Sequence, residues 1–368
     1  MNIKSMLKTG LLSFIFLANT SFVYKSDLKK HHLESGINLT CFEQTKFGAE
    51  QKQTIDKIVR EGYSTVVLNP IYYQETKNSN LIEQESNFDK KHLKDITEYC
   101  QDQGLDVVFK PMINSRDKTS RTHIFPENEN EWFSNYDLLL GKITDLAIEQ
   151  KIDAITVACE LDSLMLSYPN KFNESIFKIR EKGFRGKIIT TMTYVNEEDQ
   201  RKIKLMNNLD CDYVGVDFYV SSRNQELNEN QKHFEYLYYL EKIFSESKKP
   251  VLIEEVGYRS VENGNKHPMF NYRLVGAFDE FIQEKSFSNF IKATTHNNID
   301  EKEFVGIYFW TTDSKSYVED ILNRSEAGSL IGYSFFDKSA ETVINKYNKD
   351  RIFFKYRREM EHLKNKLN

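Results

Sequence analysis

Glu160 and Glu255 each close a short apolar run, "IDAITVACE" and "KPVLIEE", in two parts of the chain far apart in sequence. A carboxylate at the end of a buried strand is how a barrel delivers a catalytic side chain to its open rim. Two carboxyl groups facing each other across a sugar ring can cut a glycosidic bond, one as nucleophile or base and the other as proton donor. A single strand-end Glu serves equally well as an ion-pair partner. The chemical reading therefore rests on both, together with Tyr219 and Trp310, which end "YVGVDFY" and "VGIYFW".

Eight short β-rich runs position these residues: Ile37–Phe42, Thr65–Asn69, Asp106–Pro111, Ala154–Glu160, Lys187–Tyr194, Tyr213–Tyr219, Val251–Glu255 and Val305–Trp310. Most are continuously apolar, as parallel strands covered on both faces are. Helical patterns alternate with them at Ala49–Glu61, Asp89–Gln103, Trp132–Gln150, Asn173–Lys182, Glu198–Asn207, Glu235–Glu246 and Arg273–Lys285. Gly62, Gly104 and Gly183 stand just past three of the helices, where a left-handed residue ends a helix. The alternation predicts an α/β fold, a (β/α)8 TIM barrel, as one domain over residues 33–368 with a C-terminal helical extension after Ser314. A doubly wound open sheet is the competing architecture; it uses fewer strands and usually a phosphate loop after the first.

Strand alternation assigns faces. It puts Glu160 inside with Ala158, Thr156 and Ala154, and turns Ile155, Val157 and Cys159 to the helices. Asp217 and Tyr219 share a face with Gly215, and Trp310 shares one with Tyr308 and Gly306. On the seventh run alternation lets only one of Glu254 and Glu255 point inward and does not say which. Asn69 and Lys110 lie at the ends of the second and third runs. Trp132 begins a helix after a long loop, Asn114–Glu131, which suits a cleft wall.

The chain has 368 residues, 39% hydrophobic and 29% charged, which is a globular composition. A net charge of −5 disfavours nucleic acid as a partner. Lys4 and Lys8 precede "GLLSFIFLA", so residues 1–25 read as a signal peptide or leader directing the chain out of the cytoplasm. The run is shorter than the roughly 20 residues of a membrane span, and no later segment is apolar enough for one. Cys41, Cys100, Cys159 and Cys211 are scattered and read as buried small side chains. Metalloprotease, P-loop and dinucleotide motifs do not occur, and no cofactor or metal is expected.

In order along the chain stand "VVFKPMI", "EWFSNY", "ITVACEL", "DYVGVDFY", "KPVLIEEVGYRS" and "GIYFW", followed by "GYSFFDKSAETVI". This series resembles glycoside hydrolase family 113, clan A barrels with β-mannanase activity, over roughly residues 36–348. Its most specific part runs from Glu255 to Ser260. The resemblance implies that Glu255 is the nucleophile, that Glu160 is the acid/base, and that Glu254 takes a position usually held by Thr. It further implies metal-free retaining hydrolysis of internal β-1,4-mannosidic bonds. Met112, Ala158-Cys159, Thr191–Tyr194 and Met269 depart from the family pattern. These departures bear on sugar contacts rather than on the two carboxylates.

The expected partner is a polysaccharide or oligosaccharide, and the expected state a monomer. For a retaining enzyme the carboxyl groups should lie about 5–5.5 Å apart. Lys110, Asn69, Tyr194 and Asp217 are candidates for sugar-hydroxyl contacts, with Trp310 as a stacking floor and Tyr219 as hydrogen-bond partner of Glu255. The apolar approach to Glu160 is expected to favour its protonated form. A barrel that binds carbohydrate without cutting it is the alternative. A barrel for phosphorylated metabolites finds only "ENGNKHP" after the seventh strand in its support.

Overall fold

The computed structural model describes residues 33–40, 47–83, 90–222, 231–269, 277–296, 299, 304–313 and 333–352. Within them, eight parallel strands close a barrel: β1 (Glu34–Thr40), β2 (Thr65–Leu68), β4 (Asp106–Phe109), β6 (Ala154–Cys159), β7 (Lys187–Tyr194), β8 (Tyr213–Phe218), β9 (Val251–Val256) and β10 (Phe304–Asp313). The order around the barrel is β1-β2-β4-β6-β7-β8-β9-β10, and β10 pairs back onto β1. This is the (β/α)8 fold that the alternation of runs implied.

Helices α1 (Ala49–Arg60), α2 (Lys90–Asp102), α3 (Glu129–Glu149), α4 (Asp162–Ser167), α5 (Pro169–Glu181), α6 (Gln200–Met206), α7 (His233–Glu246) and α8 (Glu280–Thr294) connect the strands. Gly62, Gly104 and Gly183 have φ of 84°, 83° and 99°, the left-handed geometry expected of them past α1, α2 and α5. Residues 339–352 form one more helix. Asn348 accepts from Ser35 Oγ at 2.5 Å and donates to the Glu61 carbonyl at 3.1 Å, while Arg351 donates to the carbonyls of Leu33 and Gly62. The segment expected as an extension thus supplies the helix that follows β10. The remainder of the tail, the leader and Cys41 lie outside the described residues.

Several elements differ from expectation. The helix foreseen at Arg273–Lys285 begins at Glu280, because a bridge pairs Phe278 with Val261 and the Asp279 side chain accepts from the N–H groups of Phe281 and Ile282. Helix α3 starts at Glu129 rather than Trp132, capped by Asn128. Short strands β3 (Ile71–Gln74) and β5 (Met112–Ser115) form a second, two-stranded parallel sheet beyond the barrel. Each follows a proline, Pro70 or Pro111, that ends its barrel strand by withholding an N–H from the ladder.

The barrel interior is apolar at its N-terminal end, where Val67, Val108, Ala154, Ile189, Leu252 and Tyr308 pack together. Gly36 makes room there: a Cβ on it would lie 2.2 Å from the Tyr308 ring. Toward the C-terminal ends of the strands the interior turns polar, with Asn38, Asn69, Lys110, Thr156, Thr191, Asp217, Glu254 and Glu255 all buried. Buried polar groups persist only when bonded to one another, so this layer marks the site.

Candidate active site

Glu160 follows β6 directly, in a left-handed conformation with φ of 53°. Strict alternation does not bring it there. The β6–β7 register slips between Thr156 and Ala158, so Val157 is an extra residue. Thr156 still faces inward, where its hydroxyl donates to Glu254. Past the bulge Cys159 faces inward as well, not toward the helices as alternation had it. The left-handed turn then aims Glu160. The Thr193 hydroxyl donates to Glu160 Oε1 at 2.9 Å, and the Arg121 guanidinium lies 3.4 Å from Oε2. The strand leading to Glu160 is apolar, but the carboxylate itself sits among polar partners.

Glu255 lies near the C-terminal end of β9. Its Oε1 accepts from Lys110 Nζ at 2.7 Å and its Oε2 from the Tyr219 hydroxyl at 2.8 Å. Glu254 is buried inside the barrel too, which alternation forbids for adjacent residues. The β8–β9 ladder passes from Val216↔Ile253 to Asp217↔Glu255 and skips Glu254. That bulge turns two successive glutamates inward. Glu254 accepts from Thr156 and Thr191 and lies 3.4 Å from Lys110. Gly215 leaves space for this, since a Cβ on it would strike the Thr191 hydroxyl.

Lys110 is enclosed by three carboxyl groups, Glu255, Asp217 at 3.1 Å and Glu254. Burial opposes its charge, and Asp217, Glu254 and Glu255 more than reverse that, keeping it an ammonium. Burial and the neighbouring Glu255 hold Asp217 well above the carboxylate range. Burial and Glu160 raise Glu255, against Lys110 and Arg121, which favour its ionised form. Ligand atoms of Cys159, Asp217 and Glu255 fall within 4.8 Å of one another, as a cation would need. The Lys110 ammonium already lies among these acids.

The sequence model of Glycoside Hydrolase Family 113 matches residues 41–338. The chain belongs to this family. It is a glycoside hydrolase acting on carbohydrate. The family 113 β-mannanase AaManA of Alicyclobacillus acidocaldarius, solved with ManMIm bound, superposes with a TM-score of 0.71 at 19% identity over 86% of this chain and 97% of that one. A second GH113 β-1,4-mannanase complex gives 0.71 at 20% identity, over 87% of this chain and 99% of the other. A GH5_18 protein of Bifidobacterium longum bound to Manβ1-4GlcNAc gives 0.55 at 13% identity, over 87% and 78%. A search of curated proteins finds no match.

Not every residue foreseen for substrate meets the catalytic face of the enzyme. Trp132 is fully buried: it stacks on Tyr136 at 4.8 Å, packs edge-on to Phe133 and donates Nε1–H to Gln74 at 3.0 Å. It is a core residue of α3, not a cleft wall. Tyr194 points away from the barrel interior, stacked at 6.4 Å on Phe218 and edge-on to Tyr239 of α7, because its neighbour Thr193 takes the inward direction. Lys110 is sealed beneath Glu255 and serves the carboxylate rather than a sugar hydroxyl. Asn69 donates to Asn38 at 3.2 Å, and Asn69 Oδ1 and Asp217 Oδ2 have no hydrogen-bond partner among the described residues. Trp310 is partly exposed beside Ile71, Met112 and Cys159.

Arg121 and Thr193 contact Glu160 in the candidate site although the sequence did not single them out, and Glu254, weighed there only against Glu255, joins the same buried cluster. Arg121 sits on a 3-10 turn, Arg121–His123, within a segment that carries no periodic signal. Thr193 was hidden by its more conspicuous neighbour Tyr194. Among the described residues, no helix is long and apolar enough to cross a membrane.

Proposed function

We propose that the enzyme cleaves β-1,4-mannan, or a related hemicellulose, with retention of anomeric configuration. Glu255 is the nucleophile and Glu160 the acid/base. The observation that carries this is the unequal setting of the two carboxylates. Glu255 is buried and held by an ammonium and a phenol, which fix and aim an ionised group. Glu160 is at the strand end, with its side chain 13% exposed, where a proton can be exchanged with water. The similarity to solved β-mannanases supports the choice of sugar. Trp310 offers a face for stacking, and Asn69 Oδ1 is an acceptor for a hydroxyl group.

In this reading Glu255 attacks the anomeric carbon while Glu160 protonates the departing oxygen; Glu160 then activates water to release the sugar. A leader over residues 1–25 would bring the enzyme to polymers outside the cytoplasm, and N-terminal sequencing of protein recovered from culture medium tests that. For the reaction, soluble mannan, glucomannan, xylan, β-glucan and galactan are assayed for new reducing ends, and the first-formed anomer is read by NMR. Release from mannan with β-anomer first is expected. Release of the α-anomer, or full turnover by Glu255→Gln, would defeat the assignment.

A further inference from the structure

Arg121 belongs to none of the motifs that identify the family, yet its guanidinium meets the acid/base. Nη1 lies 3.4 Å from Glu160 Oε2 and 3.3 Å from Cys159 Sγ, and the side chain is 19% exposed. Burial pushes the Cys159 thiol well above its usual range, so that contact is to a neutral group. The charge of Arg121 is therefore answered by Glu160. Its turn is held from several sides. Ser120 caps it, Ser163 of α4 donates to the Thr122 carbonyl at 2.6 Å, and Phe125 N–H donates to Lys77 at 2.8 Å.

We propose that Arg121 is a positioning residue that stabilises the negative charge Glu160 acquires when it protonates the leaving oxygen. The inference rests on the two-glutamate displacement above. In the first step a Glu255 oxygen bonds to the anomeric carbon as the glycosidic C–O bond breaks. That bond's electron pair stays on the leaving oxygen, which takes the proton of Glu160. Glu255 is then a neutral ester and Glu160 a carboxylate. In the second step water bonds to the anomeric carbon and gives a proton to Glu160, while the electron pair of the ester bond returns to Glu255.

One unit of negative charge thus travels from Glu255 to Glu160 and back. Each terminus has its own cation, Lys110 at 2.7 Å and Arg121 at 3.4 Å. A fixed cation placed where charge develops acts in the transition state without having to reorganise.

The test uses the full chain and a series of aryl β-mannobiosides whose leaving phenols differ in acidity, with thermal unfolding of every variant recorded. 2,4-Dinitrophenolate departs without a proton, so Arg121→Gln should change its kcat/KM by less than about threefold. For weakly acidic phenols, and for mannan, kcat/KM should fall on the order of ten- to a hundredfold, within the range general-acid catalysis supplies. Arg121→Lys keeps the charge and should give an intermediate dependence on the leaving group. If the Gln variant fails to fold, the Lys variant must still show a steeper dependence than the unaltered enzyme. Equal loss across the series, or no loss, would overturn the role of Arg121 and leave the glycosidase reading intact. Failure of the unaltered enzyme on every aryl glycoside and on mannan would instead reject that reading, and this inference with it.

Discussion

Lys110 Nζ lies 2.7 Å from Glu255 Oε1, with the lysine sealed from solvent and the glutamate side chain 4% exposed. Asp217 and Glu254 complete the ring around the same ammonium. Removing a buried cation from such a ring leaves carboxylates without a counter-charge. Lys110→Met should destabilise the fold by about 3–5 kcal/mol and abolish turnover. Chemical denaturation checks the first, and an unfolding midpoint like that of the unaltered enzyme would contradict it.

Glu254 is a member of this ring to which the proposed displacement assigns no role. Glu254→Gln should keep turnover within about tenfold, because Glu255 retains Lys110 and Tyr219. Combined with Lys110→Met it should recover part of the lost stability, a coupling of about 0.5–3 kcal/mol. Strict additivity in that double-mutant cycle would show the two side chains to be independent.

Trp132 separates core from cleft. Trp132→Phe gives up the Nε1–H bond to Gln74 and part of the stack on Tyr136. It should reduce stability by about 1–3 kcal/mol, with kcat/KM per folded molecule unchanged. A raised KM at unaltered stability would put the ring against substrate.

The opposite end of the barrel carries a pH dependence. Glu61, just past α1, lies 3.9 Å from Lys57, which also meets Glu341 at 2.7 Å and Asp337 at 3.0 Å. Burial and Glu341 push Glu61 from 4.5 up to about 8. Glu341 goes down despite burial, through hydrogen bonds from Glu61 and Lys57, so the pair shares one proton. The folded chain binds that proton more tightly than the unfolded one. The resulting stabilisation is complete below about 4.5 and is lost as pH rises through about 8. Glu61→Gln should flatten the fall in melting temperature between pH 6 and 9; a fall of undiminished size would assign it to other groups.

Much of this was legible in the sequence, because continuous apolar runs report burial on both faces and strand ends report the rim. Lys187–Tyr194 forms a strand with the foreseen bounds, and Glu160 and Glu255 both fall at the expected end of the barrel. Side-chain direction was less legible. A single inserted residue at Val157 or Glu254 reverses every face beyond it, and nothing in composition marks a bulge. Cys159 and Tyr194 were misdirected for that kind of reason, one by a bulge and the other by a neighbour that points inward in its place. Arg121 depends on the path of an aperiodic segment, which only tertiary contacts define.

The small sheet of β3 and β5 has one more consequence. It carries the backbone of two barrel strands past Pro70 and Pro111, and the turn bearing Arg121 is tied to it through the bonds of Lys77 to Phe125 and to Asp117. The conformational entropy of placing that guanidinium is thus spent when the chain folds, not when a glycan arrives. On this flank, then, the cation facing Glu160 is set in place by backbone hydrogen bonds of the folded chain.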